Sequence, residues 1–299
     1  MITVGELLRT IRDELDAAGI DHPAADAEMI VAHVLGESRG RVQALALLGT
    51  AVSAADHEAI MQLHAERVRR VPLQHLTGRA PFRNLELHVG PGVFVPRPET
   101  EVVAQFAIDA LLAVPDPQPI AVDLCTGSAA IALALATEVP TAQVWAVEKS
   151  REAHAWAERN VSAWGDGRVE LLLGDIAELD PAGERRDTKL TRVFEPLRGR
   201  VHVLISNPPY VPEGMVPREP EVREHDPSLA LFGGPDGLDI VRVISRLARD
   251  LVAPGGLLVL EHAETQGAAI RQILISDGWR APATHRDLTH RDRATTATR

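Results

Sequence analysis

The N-terminal quarter of the chain carries apolar residues at helical spacing. They recur every three or four positions in three stretches, 7–15, 24–35 and 53–70, and such spacing places them on one face of an α-helix. Gly36 suits the end of the second helix, and Pro72 requires the third helix to end before it. The pattern predicts a small module of three to five helices.

Residues 81–97 change to a pattern typical of strands. Apolar residues on both sides flank Gly90-Pro91-Gly92, and such a cluster of turn residues is typical of a hairpin. We predict a β-hairpin with its turn at Gly90-Pro91-Gly92. It would connect the helical module to the rest of the chain.

From Pro98 onward, short apolar runs alternate with helical patterns. Short strands that alternate with helices form a parallel sheet with helices on both faces. This part of the chain is therefore predicted to adopt an α/β fold. The predicted strands are 119–124, 143–148, 168–175, 201–206 and 255–262.

These patterns divide the chain into three parts: a helical bundle at 1–75, a linker with the hairpin at 76–97, and an α/β domain at 98–299. Residues 176–200 interrupt the alternation with a long polar stretch, which we predict to be a mobile loop. The pattern does not indicate what this loop does.

Composition narrows the function classes. The 299 residues carry a net charge of −11, which works against tight binding to the phosphates of duplex DNA, so we expect no direct nucleic-acid partner. The single cysteine fits a reducing compartment. The sequence contains no run of about 18 apolar residues, the length that a membrane-spanning helix needs. It also lacks the spacing of histidines and cysteines that is typical of metal sites. We expect a cytoplasmic protein without a membrane partner or a metal.

The first strand of the α/β part leads into a glycine-containing turn, Asp123-Leu124-Cys125-Thr126-Gly127-Ser128. Gly127 allows the backbone to approach a ligand closely. The helix that we predict to begin at Ser128 directs unpaired N–H groups into the crevice beyond the strand. Because only one glycine of the dinucleotide-binding fingerprint is present, an adenosine ligand without a pyrophosphate fits better.

Acidic residues stand at the ends of three successive predicted strands. Asp123 is followed by Glu148, about twenty residues on, where an acid can accept hydrogen bonds from ribose hydroxyls. Asp175 ends the third strand. The ordered set favours an adenosine-type cofactor, although Asp123 and Asp175 could instead cap the helices that follow them.

The fourth predicted strand ends at Asn207-Pro208-Pro209-Tyr210. The side-chain oxygen of Asn207 and the carbonyl of Pro208 are two acceptors, and the prolines fix the backbone φ. They could take the two hydrogens of a planar NH2 group, with the ring of Tyr210 against its face, and so direct the nitrogen lone pair at a methyl donor. A strand-ending turn without catalytic function would also explain the prolines.

The order of these motifs resembles the S-adenosylmethionine-dependent methyltransferases that carry an Asn-Pro-Pro-Tyr motif. Within that group, the segments FVPRPETEVV (94–103) and GGPDGLD (233–239) resemble the release factor glutamine methyltransferases, as does the helical module followed by a hairpin. The resemblance covers nearly the whole chain. It implies a Rossmann-like methyltransferase sheet joined to a small N-terminal helical domain. It also implies N5-methylation of the glutamine in the Gly-Gly-Gln motif of peptide chain release factors, which supports translation termination.

The resemblance further implies partners and site residues. The methyl donor would be S-adenosyl-L-methionine, with S-adenosyl-L-homocysteine as product, the substrate would be a release factor, and the enzyme would be a monomer. The implied catalytic residues are Asn207, Pro208 and Tyr210. The implied cofactor-binding residues are Asp123, Cys125, Thr126, Gly127, Ser128, Ala129, Glu148, Asp175, Ile176 and Asn207, and the implied substrate-binding residues are Phe94, Arg97, Asn207, Pro208, Pro209 and Tyr210.

The chain departs from the family at Cys125 and Ala129, where glycines are usual. A Cβ atom restricts positive φ, so either Cys125 keeps a negative φ or the turn differs. We expect the departure to affect the affinity for the cofactor rather than its identity, and we interpret Cys125 as a small buried apolar residue. The helical module could dock the release factor or stabilise the catalytic domain.

Two other function classes stay open on the sequence. A nucleic-acid amino-methyltransferase would hold a flipped base in the same pocket, although the acidic charge and the 94–103 segment argue against it. A scaffold that binds the cofactor without catalysis would fit the two missing glycines.

Overall fold

The computed structural model describes residues 2–184 and 187–299. Contacts group the chain into two compact units. Unit 1 comprises the residues up to 79 together with 217–225, and unit 2 comprises 80–216 and 226–299. Arg185 and Arg186, which belong to the predicted loop 176–200, lie outside the described residues.

Helices form much of both units. The α-helices are α1 (Val4–Ala17), α2 (Pro23–Leu35), α3 (Arg39–Leu47), α4 (Ala54–Val68), α5 (Leu73–Thr77), α6 (Pro98–Ala113), α7 (Ala130–Glu138), α8 (Arg151–Trp164), α9 (Lys189–Phe194), α10 (Pro220–His225), α11 (Ser228–Leu231), α12 (Asp239–Leu251) and α13 (Gly267–Ser276). None of the described helices is long and apolar enough to cross a membrane.

The strands are β1 (Arg79–Phe82), β2 (Leu85–His88), β3 (Ile120–Leu124), β4 (Gln143–Glu148), β5 (Val169–Leu173), β6 (Val201–Ser206), β7 (Val252–Glu261), β8 (Arg280–Arg286) and β9 (Asp292–Thr298). Within the described residues, β1 pairs with β2, and seven strands form one sheet in the order β5-β4-β3-β6-β7-β9-β8.

Unit 1 is a helical bundle, and its predicted helices are confirmed. The hydroxyl of Thr3 caps α1 in a reciprocal box with Glu6, a pairing that satisfies free N–H groups at a helix start. Gly36 ends α2 with a φ of 65°, a conformation that glycine adopts without a steric penalty. The buried core comprises Val4, Leu7, Ile11, Leu15, Ile20, Ala27, Ile30, Val31, Ala32, Val42, Val52 and Ile60.

Unit 2 is built on the predicted α/β sheet. The pairs β3–β4, β3–β6, β4–β5 and β6–β7 are parallel, whereas β9 runs antiparallel to β7 and β8. Alternate residues of β3 enter two separate apolar clusters: Ala121 packs with α6 and α7, and Val122 packs with α12 and α13. The sheet is therefore covered on both faces, as successive side chains of a strand point in opposite directions.

The predicted position of the hairpin turn is wrong. The turn lies at Arg83 and Asn84, between β1 and β2, and residues 93–95 form no strand. Val89, Val93 and Val95 pack instead in a small cluster with Ala153 of α8, so burial rather than strand pairing explains their apolar character. The apolar run alone did not distinguish these two environments.

The predicted loop at 176–200 contains regular structure. A 3₁₀ helix spans 176–179, α9 follows at 189–194, and a second 3₁₀ helix spans 195–197. Leu190, Phe194 and Leu197 are buried in the cluster that holds α12. Their spacing lines one helical face, which the surrounding polar residues obscured.

Candidate active site

The predicted site residues gather at one edge of the sheet. Because β3, β4, β6 and β7 run parallel, their carboxyl ends share that edge, which is where open α/β sheets bind ligands. Asp123 is the penultimate residue of β3 and Glu148 is the last of β4. Asn207 directly follows β6. The structure thus brings the cofactor candidates and the Asn-Pro-Pro-Tyr motif to one edge of the sheet.

The turn after β3 is tied to the neighbouring strands by its backbone. The Thr126 amide donates to the Val147 carbonyl at 3.0 Å, and the Gly127 amide donates to Oε2 of Glu148 at 2.8 Å. The Ser206 hydroxyl donates to the Leu124 carbonyl at 2.6 Å. These bonds fix the turn against β4 and β6.

Two residues of this turn adopt the left-handed conformation that usually requires glycine. Cys125 has a φ of 60° and Ala129 a φ of 66°. The alternative in which Cys125 keeps a negative φ is therefore wrong. A non-glycine residue in this left-handed region costs about 1–2 kcal/mol. Helix α7 begins at Ala130, two residues later than predicted, with Ala129 as its N-cap.

We expect the C125G variant to be more stable than the C125A variant. This reverses the usual order, in which alanine gives the more stable protein. Both C125G and C125A lack the thiol, but only alanine keeps the Cβ at a φ of 60°. Relief of about 1–2 kcal/mol of strain exceeds the greater freedom of glycine in the unfolded chain, about 0.4–1 kcal/mol. Denaturant unfolding of both variants should show C125G more stable by about 0.5–1 kcal/mol.

The matched control for this comparison is A134G, in the middle of α7. There glycine should lower the free energy of unfolding by about 1 kcal/mol. If C125G is less stable than C125A by a similar amount, the turn does not hold residue 125 under strain.

Asp123 is a buried structural acid within the site. Its Oδ2 atom accepts hydrogen bonds from the Thr126 hydroxyl at 2.5 Å and from the Ala132 amide at 3.1 Å. Burial raises its pKa to about 7, and these two bonds offset only part of the effect. Its Oδ1 atom is buried without a hydrogen-bond partner among the described residues.

Glu148 and Asp175 differ in what they bind. Both oxygens of Glu148 accept backbone N–H groups, from Gly127 at 2.8 Å and Ser150 at 2.7 Å, while burial raises its pKa. Asp175 caps the 3₁₀ helix that starts at Ile176 and pairs with Lys149 at 2.8 Å. The capping role considered for Asp175 is therefore present.

The turn and the acids around it fit an adenosine-type cofactor. Gly127 has a φ of 58°, and no atom lies within 4 Å of the place where a Cβ would stand, so the backbone there borders open space. Each oxygen of Glu148 retains a lone pair that can accept a ribose hydroxyl. Ser128 and Ala129 are buried beneath the turn, where the Ser128 carbonyl accepts from Asn160 at 2.9 Å.

The backbone of the Asn-Pro-Pro-Tyr motif is held by close neighbours. A Cβ at Gly233 would lie 2.4 Å from the Pro209 carbonyl oxygen, and one at Gly237 would lie 2.2 Å from that of Tyr210, so neither glycine can be replaced without movement. Gln266 donates to the Tyr210 carbonyl at 2.9 Å. The GGPDGLD segment and Gln266, the N-cap of α13, therefore fix the backbone of the motif. Within the motif, Pro208 is buried.

Phe94 and Arg97 contact each other next to α6. The Arg97 guanidinium lies 4.8 Å from the centre of the Phe94 ring, within the range of a cation–π interaction. It also pairs with Asp226 at 2.7 Å. Both predicted substrate residues are half-buried.

The sequence reasoning missed two residues that approach Asn207. The amide nitrogen of Asn207 donates to the Thr100 hydroxyl at 3.4 Å. The second residue is Glu261, the last residue of β7, and hydrogen bonding from Thr100 and Asn207 lowers its pKa. Glu261 obeys the rule that pointed to Asp123 and Glu148, an acid at a strand end. Applying that rule to the strand at 255–262 would have found it.

The chain is similar to known proteins along most of its length. A family profile described as the PrmC N-terminal domain matches residues 6–78. A release factor glutamine methyltransferase of Streptomyces coelicolor is 47% identical, over 94% of this chain and 92% of that one. Another, from Bifidobacterium longum, is 40% identical over 97% of both chains. A 4-amino-L-phenylalanine/4-methylamino-L-phenylalanine methyltransferase of Streptomyces pristinaespiralis is 34% identical, over 92% of this chain and 88% of that one.

The sheet and its strand-end site, taken with these relatives, define a methyltransferase. The chain belongs to the release factor glutamine methyltransferase family. This membership and the α/β sheet confirm the resemblance and the fold class inferred from the sequence.

Proposed function

We propose that this enzyme methylates the side-chain nitrogen of the glutamine in the Gly-Gly-Gln motif of peptide chain release factors, with S-adenosyl-L-methionine as methyl donor. The relatives support a release factor rather than a nucleic acid as the substrate, and the observation that carries amide methylation is the orientation of the Asn207 amide. Its nitrogen donates to Thr100 at 3.4 Å, so its oxygen is left as an acceptor beside the carbonyl of Pro208.

An amide nitrogen is a weak nucleophile because its lone pair is delocalised into the carbonyl group. In the proposed complex, Oδ1 of Asn207 and the carbonyl oxygen of Pro208 accept the two N–H groups of the substrate glutamine. The ring of Tyr210 packs against the amide plane. The two acceptors turn the nitrogen toward the cofactor crevice, and positioning of this kind can supply up to about 7–11 kcal/mol of the barrier reduction.

The cofactor would lie over the turn after β3. Gly127 offers open space to it, and Glu148 would accept its ribose hydroxyls. The surrounding wall would consist of Cys125, Thr126, Asp175 and Ile176, with Asp123, Ser128 and Ala129 buried behind it. When bound, S-adenosyl-L-methionine supplies the methyl group from its sulfonium and leaves as S-adenosyl-L-homocysteine, while the methylated nitrogen releases one of its two protons to solvent. Since burial raises the pKa of Tyr210, its hydroxyl stays neutral and adds no charge to the site.

A methylation assay tests the proposal. The purified protein is incubated with radiolabelled S-adenosyl-L-methionine and a bacterial release factor, and the modified residue is located by peptide mass spectrometry. We expect one methyl group on the glutamine of Gly-Gly-Gln and none on a release factor with alanine at that position. Label in RNA, DNA or 4-amino-L-phenylalanine, with none in the release factor, would reject the proposal.

We also propose that unit 1 docks the release factor, which would place the enzyme in the cytoplasm with its substrate. Leu47 and Leu48 at the end of α3 are 91% and 74% exposed, and exposed apolar side chains of this size favour protein contacts. The double variant L47S/L48S should raise KM for the release factor about tenfold and leave kcat unchanged.

The matched control is L288S, which removes an equally exposed leucine from unit 2. Initial-rate kinetics on all three proteins separate the outcomes. An unchanged KM in L47S/L48S, or the same increase in L288S, would argue against docking at this surface.

A further inference from the structure

A buried acid, Glu261, ends β7 beside the strand that leads to Asn207. Strands β6 and β7 are parallel, and Ser206 pairs with Leu260, so Asn207 and Glu261 follow at the same level of the sheet. Glu261 is only 2% exposed, and its Oε2 atom is buried without a hydrogen-bond partner among the described residues. Glutamate is almost never buried so fully unless it is paired.

The groups around Glu261 come from several elements. Burial raises its pKa to about 7, while hydrogen bonding from Thr100 and Asn207 and the charge of Arg293 lower it, and the charge of Glu99 raises it. Arg293, on β9, is itself bonded to Asp287 at 3.2 Å. The titratable and charged groups facing Glu261 are therefore Glu99 of α6, Tyr210 of the motif and Arg293 of β9.

The neighbouring histidine of β7 is occupied elsewhere. The ring of His262 contacts the Ala263 carbonyl at 2.8 Å and the Thr295 hydroxyl at 2.8 Å. It therefore offers no ring nitrogen to Glu261.

The orientation of the Asn207 amide decides whether the site can work. Its nitrogen must point inward for its oxygen to face a substrate amide. Thr100, at 3.4 Å, cannot enforce this alone, because a hydroxyl both donates and accepts hydrogen bonds. An ionised carboxylate only accepts, so Glu261 is the group that can distinguish the nitrogen of Asn207 from its oxygen.

We propose that Glu261 is a positioning residue, which with Thr100 holds the Asn207 amide nitrogen inward and so presents the Asn207 oxygen to the substrate glutamine. The inference rests on the proposed function. Glu261 itself touches neither substrate nor cofactor. It acts through Asn207, and only in its ionised form.

Protonation of Glu261 reverses this preference. A carboxylic acid carries one O–H donor, which can bond to the Asn207 oxygen after the amide rotates by half a turn. The acceptor would then be lost to the substrate. Activity should therefore rise with pH through the ionisation of Glu261 and reach a plateau above it.

The first test is the pH profile of kcat/KM for the release factor, which reports ionisations of the free enzyme. Wild type should show a rising limb with a midpoint near the Glu261 pKa of about 7. In E261Q the rising limb should be absent, and kcat should fall on the order of 10- to 100-fold. KM for the release factor should stay within a factor of about three, because Asn207 orients the reacting amide rather than docking the protein. A limb that persists in E261Q would overturn the proposal.

The second test is T100V, which keeps the volume of the side chain but removes its hydroxyl. Since Thr100 lowers the pKa of Glu261, its loss should move the limb to higher pH and reduce kcat. An unmoved midpoint would also overturn the proposal, even if E261Q failed to fold. A purely structural role of either residue would change the melting temperature without moving the limb.

Matched substitutions elsewhere in unit 2 serve as controls. E138Q replaces the carboxylate that pairs with Arg83 at the end of α7, and T137V removes a hydroxyl bonded to the Leu133 carbonyl. Both should keep the wild-type limb. Wild type that methylates no release factor would refute the proposed function, whereas active wild type with an unmoved limb in the variants would refute this inference alone.

Discussion

Replacing Asn207 by alanine is expected to lower kcat for release-factor methylation about 10²- to 10³-fold, the scale at which loss of one preorganised polar group acts in other enzymes. The variant loses the side-chain oxygen that would accept one N–H of the substrate amide. The carbonyl of Pro208 alone holds only one of the two N–H groups, so the substrate amide can pivot about that single hydrogen bond. Single-turnover kinetics with saturating release factor measure this loss directly.

Cofactor binding should survive the same change. Glu148 and the turn at Gly127 are held by their own hydrogen bonds, none of which involves Asn207. Calorimetry should therefore give an affinity for S-adenosyl-L-methionine within a factor of about three of wild type, well under 1.4 kcal/mol. Turnover of N207A within tenfold of wild type would contradict the assignment of the pocket.

Replacing Arg67 by methionine is expected to lower the free energy of unfolding by about 3–5 kcal/mol, the cost of breaking a buried ion-pair cluster by removing one partner. Arg67 is 7% exposed. It donates to Asp26 at 2.7 Å and to Glu221 at 2.9 Å. Methionine fills much of the same volume, so the lost stability reports Asp26, which loses Arg67, and Glu221, which keeps only Arg70.

The neighbouring R69M is the matched control for R67M. Arg69 pairs with Glu66 on the surface, with more than half of its side chain exposed, and such pairs contribute about 0–1 kcal/mol. Denaturant unfolding of both variants should therefore differ by at least about 2 kcal/mol. If both variants lose the same free energy of unfolding, the Arg67 ion pairs contribute no more to stability than the surface pair of Arg69.

The effect of R67M should depend on pH. Burial acts to raise the pKa of Glu221, but hydrogen bonds from Arg70 and Arg67 outweigh it and hold that pKa below its usual value. The ionised carboxylate thus contributes stability at neutral pH, and the contribution is lost as pH falls through the lowered pKa. The difference in the free energy of unfolding between wild type and R67M should therefore become smaller as the pH falls.

Local patterns were sufficient to predict most of the fold. Helical spacing and terminal residues such as Gly36 predicted the first helices, and the alternation after Pro98 predicted the parallel sheet. The errors occurred where burial came from distant contacts. Val93 is buried against α8 rather than in a strand, and Leu190 is buried in a segment that is polar on average.

The site was predictable to the extent that it follows one rule, polar residues at strand ends. That rule predicted the positions of Asp123, Glu148 and Asn207. It could not reveal that Thr100, more than a hundred positions earlier in the chain, lies 3.4 Å from Asn207, because only the packing of α6 against the sheet brings them together. Nor could it determine the φ of Cys125, which depends on the bonds that fix the turn.

The divided sequence of unit 1 has a consequence for synthesis on the ribosome. Its helices α1 to α5 are made first, but residues 217–225, which complete the unit, emerge only after most of the catalytic sheet has been translated. Until then, Arg67 and Arg70 lack the Glu221 carboxylate that they share in the finished protein. Domains usually fold as units in the order in which they are synthesised, but this bundle reaches its final stability only after the strand preceding Asn207 has been made.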